Sequence, residues 1–137
     1  GGPVVVVDFG TATTFDVITK RGEYAGGVIC PGIGISADAL FHRAARLPRV
    51  DVRKPGQVVG RSTVASMQSG LYFGYAEMCE GLIGRIRSEL GEPGRVVATG
   101  GLAETLSVEI PSIESVDPVL TLTGLRLIWE RNRETPR

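Results

Sequence analysis

Four valines lead into an acid, a glycine and three threonines: Val4-Val5-Val6-Val7-Asp8-Phe9-Gly10-Thr11-Ala12-Thr13-Thr14. A second apolar run, Phe15 to Ile18, follows at once. The pattern is strand, turn, strand, with a small flexible tip rich in hydroxyls and main-chain N–H groups. A nucleotide's phosphates suit such a tip. Gly10 lets the main chain approach an anion, the amides can point at it, and Asp8 supplies a hard oxygen for a cation. The Walker A loop is different, since it carries a lysine and opens a helix. Asp-x-Gly is also a common turn signal, so an ordinary tight hairpin with polar positions fits the same residues.

Two later segments carry hydroxyls or bare backbone. Gly60-Arg61-Ser62-Thr63 precedes a long helical pattern, where the Thr63 hydroxyl can serve as a cap. Gly100-Gly101 follows the apolar run Val96-Val97-Ala98 and turns it into a short helix. Other reactive types are isolated. His42 has no second histidine and reads as a helix-surface residue. Cys30 and Cys79 lack CxxC or metal-type spacing, and two buried free thiols are favoured over a disulfide for a cytoplasmic protein.

The elements that position these groups can be read in order. Val4–Asp8 is a strand of β-branched residues expected to be buried on both faces. Thr14–Thr19 pairs back on it, and Tyr24–Cys30 makes a third strand. Gly26-Gly27 inside that strand signals close approach of another backbone or a ligand. A helix is predicted from about Ser36 to Arg46, stopped by Pro48. Residues 49–62 read as irregular, with Val58-Val59 as a possible short strand. The longest helix carries a stripe of Val64, Met67, Leu71, Tyr75, Met78, Leu82 and Ile86, and ends at Leu90.

Beside that stripe lie Gly70, Gly74, Gly81 and Gly84. Each costs about 1 kcal/mol against alanine in a helix. Close packing of a helix or partner subunit would explain them; simple tolerance is the alternative. Arg95–Thr99 is a buried strand, Leu102–Leu106 a short helix and Ile113–Val116 an edge strand. Asp117-Pro118 starts a last helix that runs to about Arg131. Hairpin strands first and alternating strands and helices later predict an α/β fold: a mixed sheet with three antiparallel strands plus parallel strands, flanked by helices.

A chain of 137 residues is one domain with room for a core. Fifteen basic and fifteen acidic residues cancel, so no long-range attraction to nucleic acid or an anionic membrane is expected. No apolar run approaches a membrane span, and no signal peptide opens the chain. Gly1-Gly2-Pro3, without methionine, reads as a cut, a tag remnant or a processed start.

This element order, with DFGTATT on the first hairpin and VVATGG later, resembles one RNase H-like half of the acetate and sugar kinase, heat-shock ATPase and actin superfamily. There, two such halves face each other across bound ATP. More specifically, VVVVDFGTATTFDV, GEYAGGVICPGI, ALFHRAARLPRV, GRSTVASMQSGLYFGY, VVATGGLA and LTLTGL resemble the C-terminal half of type III pantothenate kinase, across nearly all of residues 4–131. Residues 1–137 are then a single domain, with the family's N-terminal half absent.

The resemblance implies ATP-dependent phosphorylation of pantothenate, the first step of coenzyme A synthesis, in the cytoplasm. It implies magnesium, a monovalent cation (potassium or ammonium) and a homodimer, with the long helix at the subunit junction. By the same resemblance Asp8 binds the monovalent cation, Gly10 and Thr11 contact ATP, Gly100 and Gly101 seat the adenosine, and Thr63 contacts pantothenate. Physical chemistry agrees: phosphoryl transfer needs mostly positioning and charge neutralisation, and a glycine pair lets a base or ribose lie against the main chain. Ser62 departs from the asparagine more usual in the family. The aspartate implied as base lies in the absent half, so the chain alone is expected to be inactive, with no catalytic residue of its own.

Two other functions share the fold. A non-catalytic relative acting as a transcriptional accessory or regulatory protein would not need Asp8, Thr11 and Thr63 together. An actin-like or chaperone-like ATPase gives no account of Thr63 or of the GGVICPGI and SMQSG segments.

Overall fold

The computed structural model describes residues 2–133. Strands β1 (Val4–Phe9), β2 (Ala12–Ile18) and β3 (Tyr24–Pro31) precede helices α1 (Ile33–Arg43) and α2 (Thr63–Leu90). Then follow β4 (Arg95–Thr99), α3 (Ala103–Ser107), β5 (Ser115–Val116) and α4 (Leu120–Arg133). The sheet order is β3-β2-β1-β4-β5. β1 pairs antiparallel with β2, and β2 with β3. β4 lies parallel to both β1 and β5. This is the mixed sheet expected from the order of hairpins and helices.

The alternation in β1 decides how the sheet is used. Val5, Val7 and Phe9 are buried, whereas Val4, Val6 and Asp8 are half-buried. β1 is therefore buried fully on one face only, contrary to its reading as a doubly buried strand. A continuous valine run carries no period of two, so sequence alone could not separate the faces. The buried face meets α2 through Leu71, Tyr72, Ala76, Cys79 and Ile83 in one cluster with Phe15, Val96 and Ala98. Each large apolar side chain buried there contributes about 1.5–3 kcal/mol.

α2 has the predicted bounds but a different inner face. The buried line runs through Gln68, Leu71, Tyr72, Ala76, Cys79 and Ile83, about a quarter turn from the predicted stripe. Val64 is exposed, and Tyr75, Met78, Leu82 and Ile86 flank the core half-buried. The prediction weighed only large apolar residues, yet small Ala76 and Cys79 are among the buried ones. Ser62 caps the helix by accepting the Ala65 N–H at 3.2 Å, and Gly91 ends it at φ +70°. Tyr75 donates to the Pro31 carbonyl at 2.7 Å and also meets the Ser36 hydroxyl, tying α1 and β3 to α2.

α1 begins at Ile33, three residues before the predicted start, with Gly32 as N-cap, and ends at Arg43 well short of Pro48. Val58-Val59 is no strand; both residues are exposed, and the Val58 carbonyl accepts the Ser69 hydroxyl. The segment 44–62 is a strap bound to α2. Gln68 donates to the Asp51 carbonyl at 3.1 Å and Ser66 to the Gly60 carbonyl at 3.3 Å. Lys54 pairs with Glu109. β5 is only two residues long, against the four predicted.

Both cysteines are free thiols; Cys79 is buried, but Cys30 only half-buried. Burial, with Cys30 and Glu80 nearby, pushes the Cys79 thiol up from 9.0 to about 12. The folded state holds this proton more tightly than the unfolded chain does. Its contribution is therefore complete below pH 9 and is lost as pH rises toward 12, at up to about 1.4 kcal/mol per unit. Denaturant titrations should show stability falling across that window. Cys79→Ala should flatten the fall, and an equal slope in both proteins would place its cause elsewhere.

Candidate functional site

Asp8 stands one residue before the end of β1. Its register partners are Thr14 on β2 and Thr99 on β4, so the carboxylate lies between the hairpin and the next parallel strand. Each strand then leaves the sheet through a glycine: β1 at Gly10 and β4 at Gly100. Crevices beyond the carboxyl ends of adjacent parallel strands are the usual ligand sites of α/β sheets. Here that crevice gathers Asp8, Gly10 and Gly100.

The two glycines differ in kind. Gly100 has φ +96°, and a Cβ there would lie 2.6 Å from Asp8 Oδ1 and 2.7 Å from the Phe9 backbone. The fold itself requires this glycine. Gly10 has ordinary φ, and a Cβ would meet Asp8 Oδ1 at 3.4 Å and the Ala12 carbonyl at 3.6 Å. That is near ordinary contact, so the chain's own packing leaves room for a side chain at Gly10. Gly101 is exposed and open, with nothing near its Cβ position. The following helix, α3, has only five residues and no side-chain cap, too short for an N-terminal dipole to matter much.

Thr11 is exposed at the hairpin tip, and its carbonyl accepts the Gly32 N–H at 3.1 Å. A Cβ at Gly32 would lie 2.0 Å from that carbonyl oxygen. The turn is thus pressed against the start of α1. At Gly27 a Cβ would lie 2.2 Å from the Phe15 carbonyl, and Gly26 has φ +119°. The close backbone approach predicted there is real at Gly27 and internal to the sheet, whereas a Cβ at Gly26 meets nothing.

Thr63 belongs to a second feature. It is the first residue of α2 but not the cap, since Ser62 fills that role. Its exposed hydroxyl lines an open groove of about 810 Å³ with Leu40, Leu47, Arg61, Ser66 and Gly70. Arg61 adds a cation to this wall. It was passed over in the sequence because it stands alone in a loop, although it directly precedes the Ser62-Thr63 pair.

Two other aspartates have other duties. Asp16 accepts from Thr14 at 3.2 Å and Tyr24 at 3.1 Å. Asp38 pairs with Arg49 at 3.1 Å. Among the described residues no three histidine, cysteine, aspartate or glutamate side chains group to hold a metal ion. Asp8 offers one hard oxygen beside two bare turns, where a weakly held cation needing few protein ligands fits. Among the same residues, no helix is long and apolar enough to cross a membrane.

A mixed sheet in this order, with helices beside it and glycine turns at the ends of two parallel strands, makes an α/β domain of the RNase H-like type. A solved Campylobacter jejuni protein, assigned to the Baf family of transcriptional activators, shares the fold at TM-score 0.65 and 23% identity, over 96% of this chain and 59% of that one. The chain belongs to the type III pantothenate kinase family, whose sequence model matches residues 1–85. Similar proteins described as type III pantothenate kinase include one from Koribacter versatilis, 56% identical over 137 residues, all of this chain and 50% of that protein. Another, from Roseiflexus castenholzii, is 59% identical over 134 residues, 98% of this chain and 52% of that protein. The chain spans about half the length of the curated relatives it matches.

Proposed function

We propose that this chain is the C-terminal domain, residues 1–137, of a cytoplasmic kinase that transfers the terminal phosphoryl group of ATP to the hydroxyl of pantothenate. The observation that carries the reading is the meeting of Asp8, Gly10 and Gly100 beyond the ends of β1 and β4. Thr11 and the bare backbone at Gly10 contact the phosphates, and Gly100 and Gly101 let the adenosine lie on the main chain. Asp8 holds potassium or ammonium. When bound, that cation and magnesium neutralise phosphate charge. Thr63 holds pantothenate in the groove beside α2, where Arg61 favours the substrate's carboxylate. Of the other aspartates, Asp16 is held by Thr14 and Tyr24, and Asp38 by Arg49. The base comes from the other half.

The test joins this chain with the remaining half of the Koribacter relative by co-expression. Phosphopantothenate formation is then followed with ATP, magnesium and either potassium or sodium. The chain alone should be inactive and the assembled pair active in potassium. Asp8→Asn keeps the side chain's shape and should lower kcat/KM about a hundredfold or more, a loss near 3 kcal/mol of transition-state stabilisation. Turnover by the chain alone, or an unaffected Asp8→Asn pair, would refute the assignment.

Two such units also pair through α2 as a homodimer. Gly70, Gly74, Gly81 and Gly84 lie opposite the buried face of the helix, and a Cβ at any of them meets nothing within 4 Å. The chain itself therefore gives these glycines no packing role. Gly74→Leu should fold normally and shift the assembled protein to monomers in sedimentation; an unchanged mass would rule this contact out.

A further inference from the structure

Asp16 holds a hydroxyl on each of its oxygens. Tyr24 donates to its Oδ1 at 3.1 Å and Thr14 to its Oδ2 at 3.2 Å. The first bond keeps the Tyr24 phenol above its ordinary 10.0, so it remains a donor at neutral pH. With one oxygen fixed by Tyr24, the carboxylate presents the other to Thr14. Gly27 leaves the path open, since a Cβ there would stand 3.3 Å from the Tyr24 hydroxyl. An irregularity between Val17 and Ile18 sets Tyr24 opposite Ile18, from where its side chain reaches back past Gly27.

Thr14 also faces a second carboxylate. It pairs directly with Asp8 across β1 and β2, and Thr99 pairs with Asp8 from β4. Side chains of directly paired residues share a sheet face, with Cβ atoms about 5 Å apart. Thr14, Asp8 and Thr99 therefore form one row across three strands. A hydroxyl has a single proton and two lone pairs. Thr14 commits its proton to Asp16, so only lone pairs are left to face Asp8. Among the described residues Asp8 has no hydrogen bond or ion pair through its side chain. Thr99, only 3% exposed, has no side-chain hydrogen bond there either. A carboxylate and the lone pairs beside it repel each other unless a cation lies between them. Asp16, opposite Val6, adds a further negative charge diagonally along the same face.

We infer that Asp16 and Tyr24 are positioning residues: they turn the Thr14 hydroxyl so that its oxygen joins Asp8 as a ligand of the monovalent cation, with the Thr99 hydroxyl completing the row from β4. The inference rests on the reading of Asp8 as the carboxylate that holds this cation. Neutral oxygens in a fixed array suit potassium, whose hydration shell they replace. Ammonium meets the same acceptors. A Thr14 proton free to turn would satisfy Asp8 directly and close the site.

The test uses the chain co-expressed with the remaining half of the Koribacter relative. Melting temperature is followed as potassium chloride replaces choline chloride at constant ionic strength, without ATP or pantothenate. The rise yields a half-saturating potassium concentration that needs no turnover. Asp16→Asn should raise that concentration about tenfold, the usual scale for losing a group that orients a metal ligand. Thr14→Val should raise it at least as much, whereas Thr14→Ser, which keeps the hydroxyl, should match the parent. Adding Asp16→Asn to Thr14→Val should then change little, because both act on one oxygen. Effects that multiply instead overturn the inference, for Asp16 would then act as a charge alone. A parental value for Thr14→Val does the same. Asp8→Asn decides the underlying reading separately. It should abolish the potassium response; a response that survives it, or a parent with none, removes the cation from Asp8 and this inference with it. A pair that forms phosphopantothenate and loses the response with Asp8→Asn but not with Thr14→Val keeps the kinase reading and loses this one.

Discussion

Gly100→Ala should lower the melting temperature by about 10 °C and dislodge Asp8 at the same stroke. The residue has φ +96°, where an L side chain is strained by about 1–2 kcal/mol. Its Cβ would also stand 2.7 Å from the Phe9 backbone and 2.6 Å from Asp8 Oδ1. Backbone cannot swing aside as a lysine tip can, so β1 and β4 must part locally. Together these give about 3–4 kcal/mol, and a domain of this size loses about 3 °C per kcal/mol. The carboxylate moves because its Oδ1 is one of the atoms struck. In the assembled kinase, Gly100→Ala should therefore lose potassium dependence along with activity. Gly10→Ala is the matched control, because its Cβ would meet only ordinary contacts. A melting temperature within about 2 °C of the parent for Gly100→Ala would contradict the geometry.

Gly32→Ala is expected to cost more, about 4 kcal/mol or above, which is exceptional for a single methyl group. The added carbon would lie 2.0 Å from the Thr11 carbonyl oxygen and 2.8 Å from that of Gly10. It would also break the hydrogen bond from the Gly32 N–H to Thr11. The struck atoms are all main chain within one turn, and none can yield without opening the hairpin or withdrawing α1. Circular dichroism should show a lower midpoint in denaturant. Surviving folded protein should show the tip of the hairpin exchanging its amide hydrogens faster. Parent-like stability would mean that the turn and α1 are separated by more than these contacts allow.

These two glycines also show where sequence reading stops. The hairpins, the parallel strand at Val96–Ala98 and the bounds of α2 were legible, because runs of β-branched residues, turn glycines and helical periodicity are local signals. So was the place of Asp8 near the end of the first strand. What brings Asp8 and Gly100 together is the pairing of β1 with β4, set by register between segments far apart in the chain. No spacing rule encodes that. Nor did anything local show that Gly32 would lie under Thr11. The inner face of α2 was missed because Gln68 and Ser69 are polar yet buried, held by carbonyls of residues 51 and 58. A stripe built from large apolar residues excludes such positions by definition.

The way the strap on α2 is moored has a consequence for how the groove beside Thr63 can change over evolution. Gln68, Ser66 and Ser69 all grip main-chain oxygens, and every amino acid has one. The gripping side must stay fixed, whereas most of the gripped residues are free to be replaced without slipping their anchors. Lineages could thus recolour this rim, altering its charge and bulk around the same hollow, while the scaffold beneath never feels the revision.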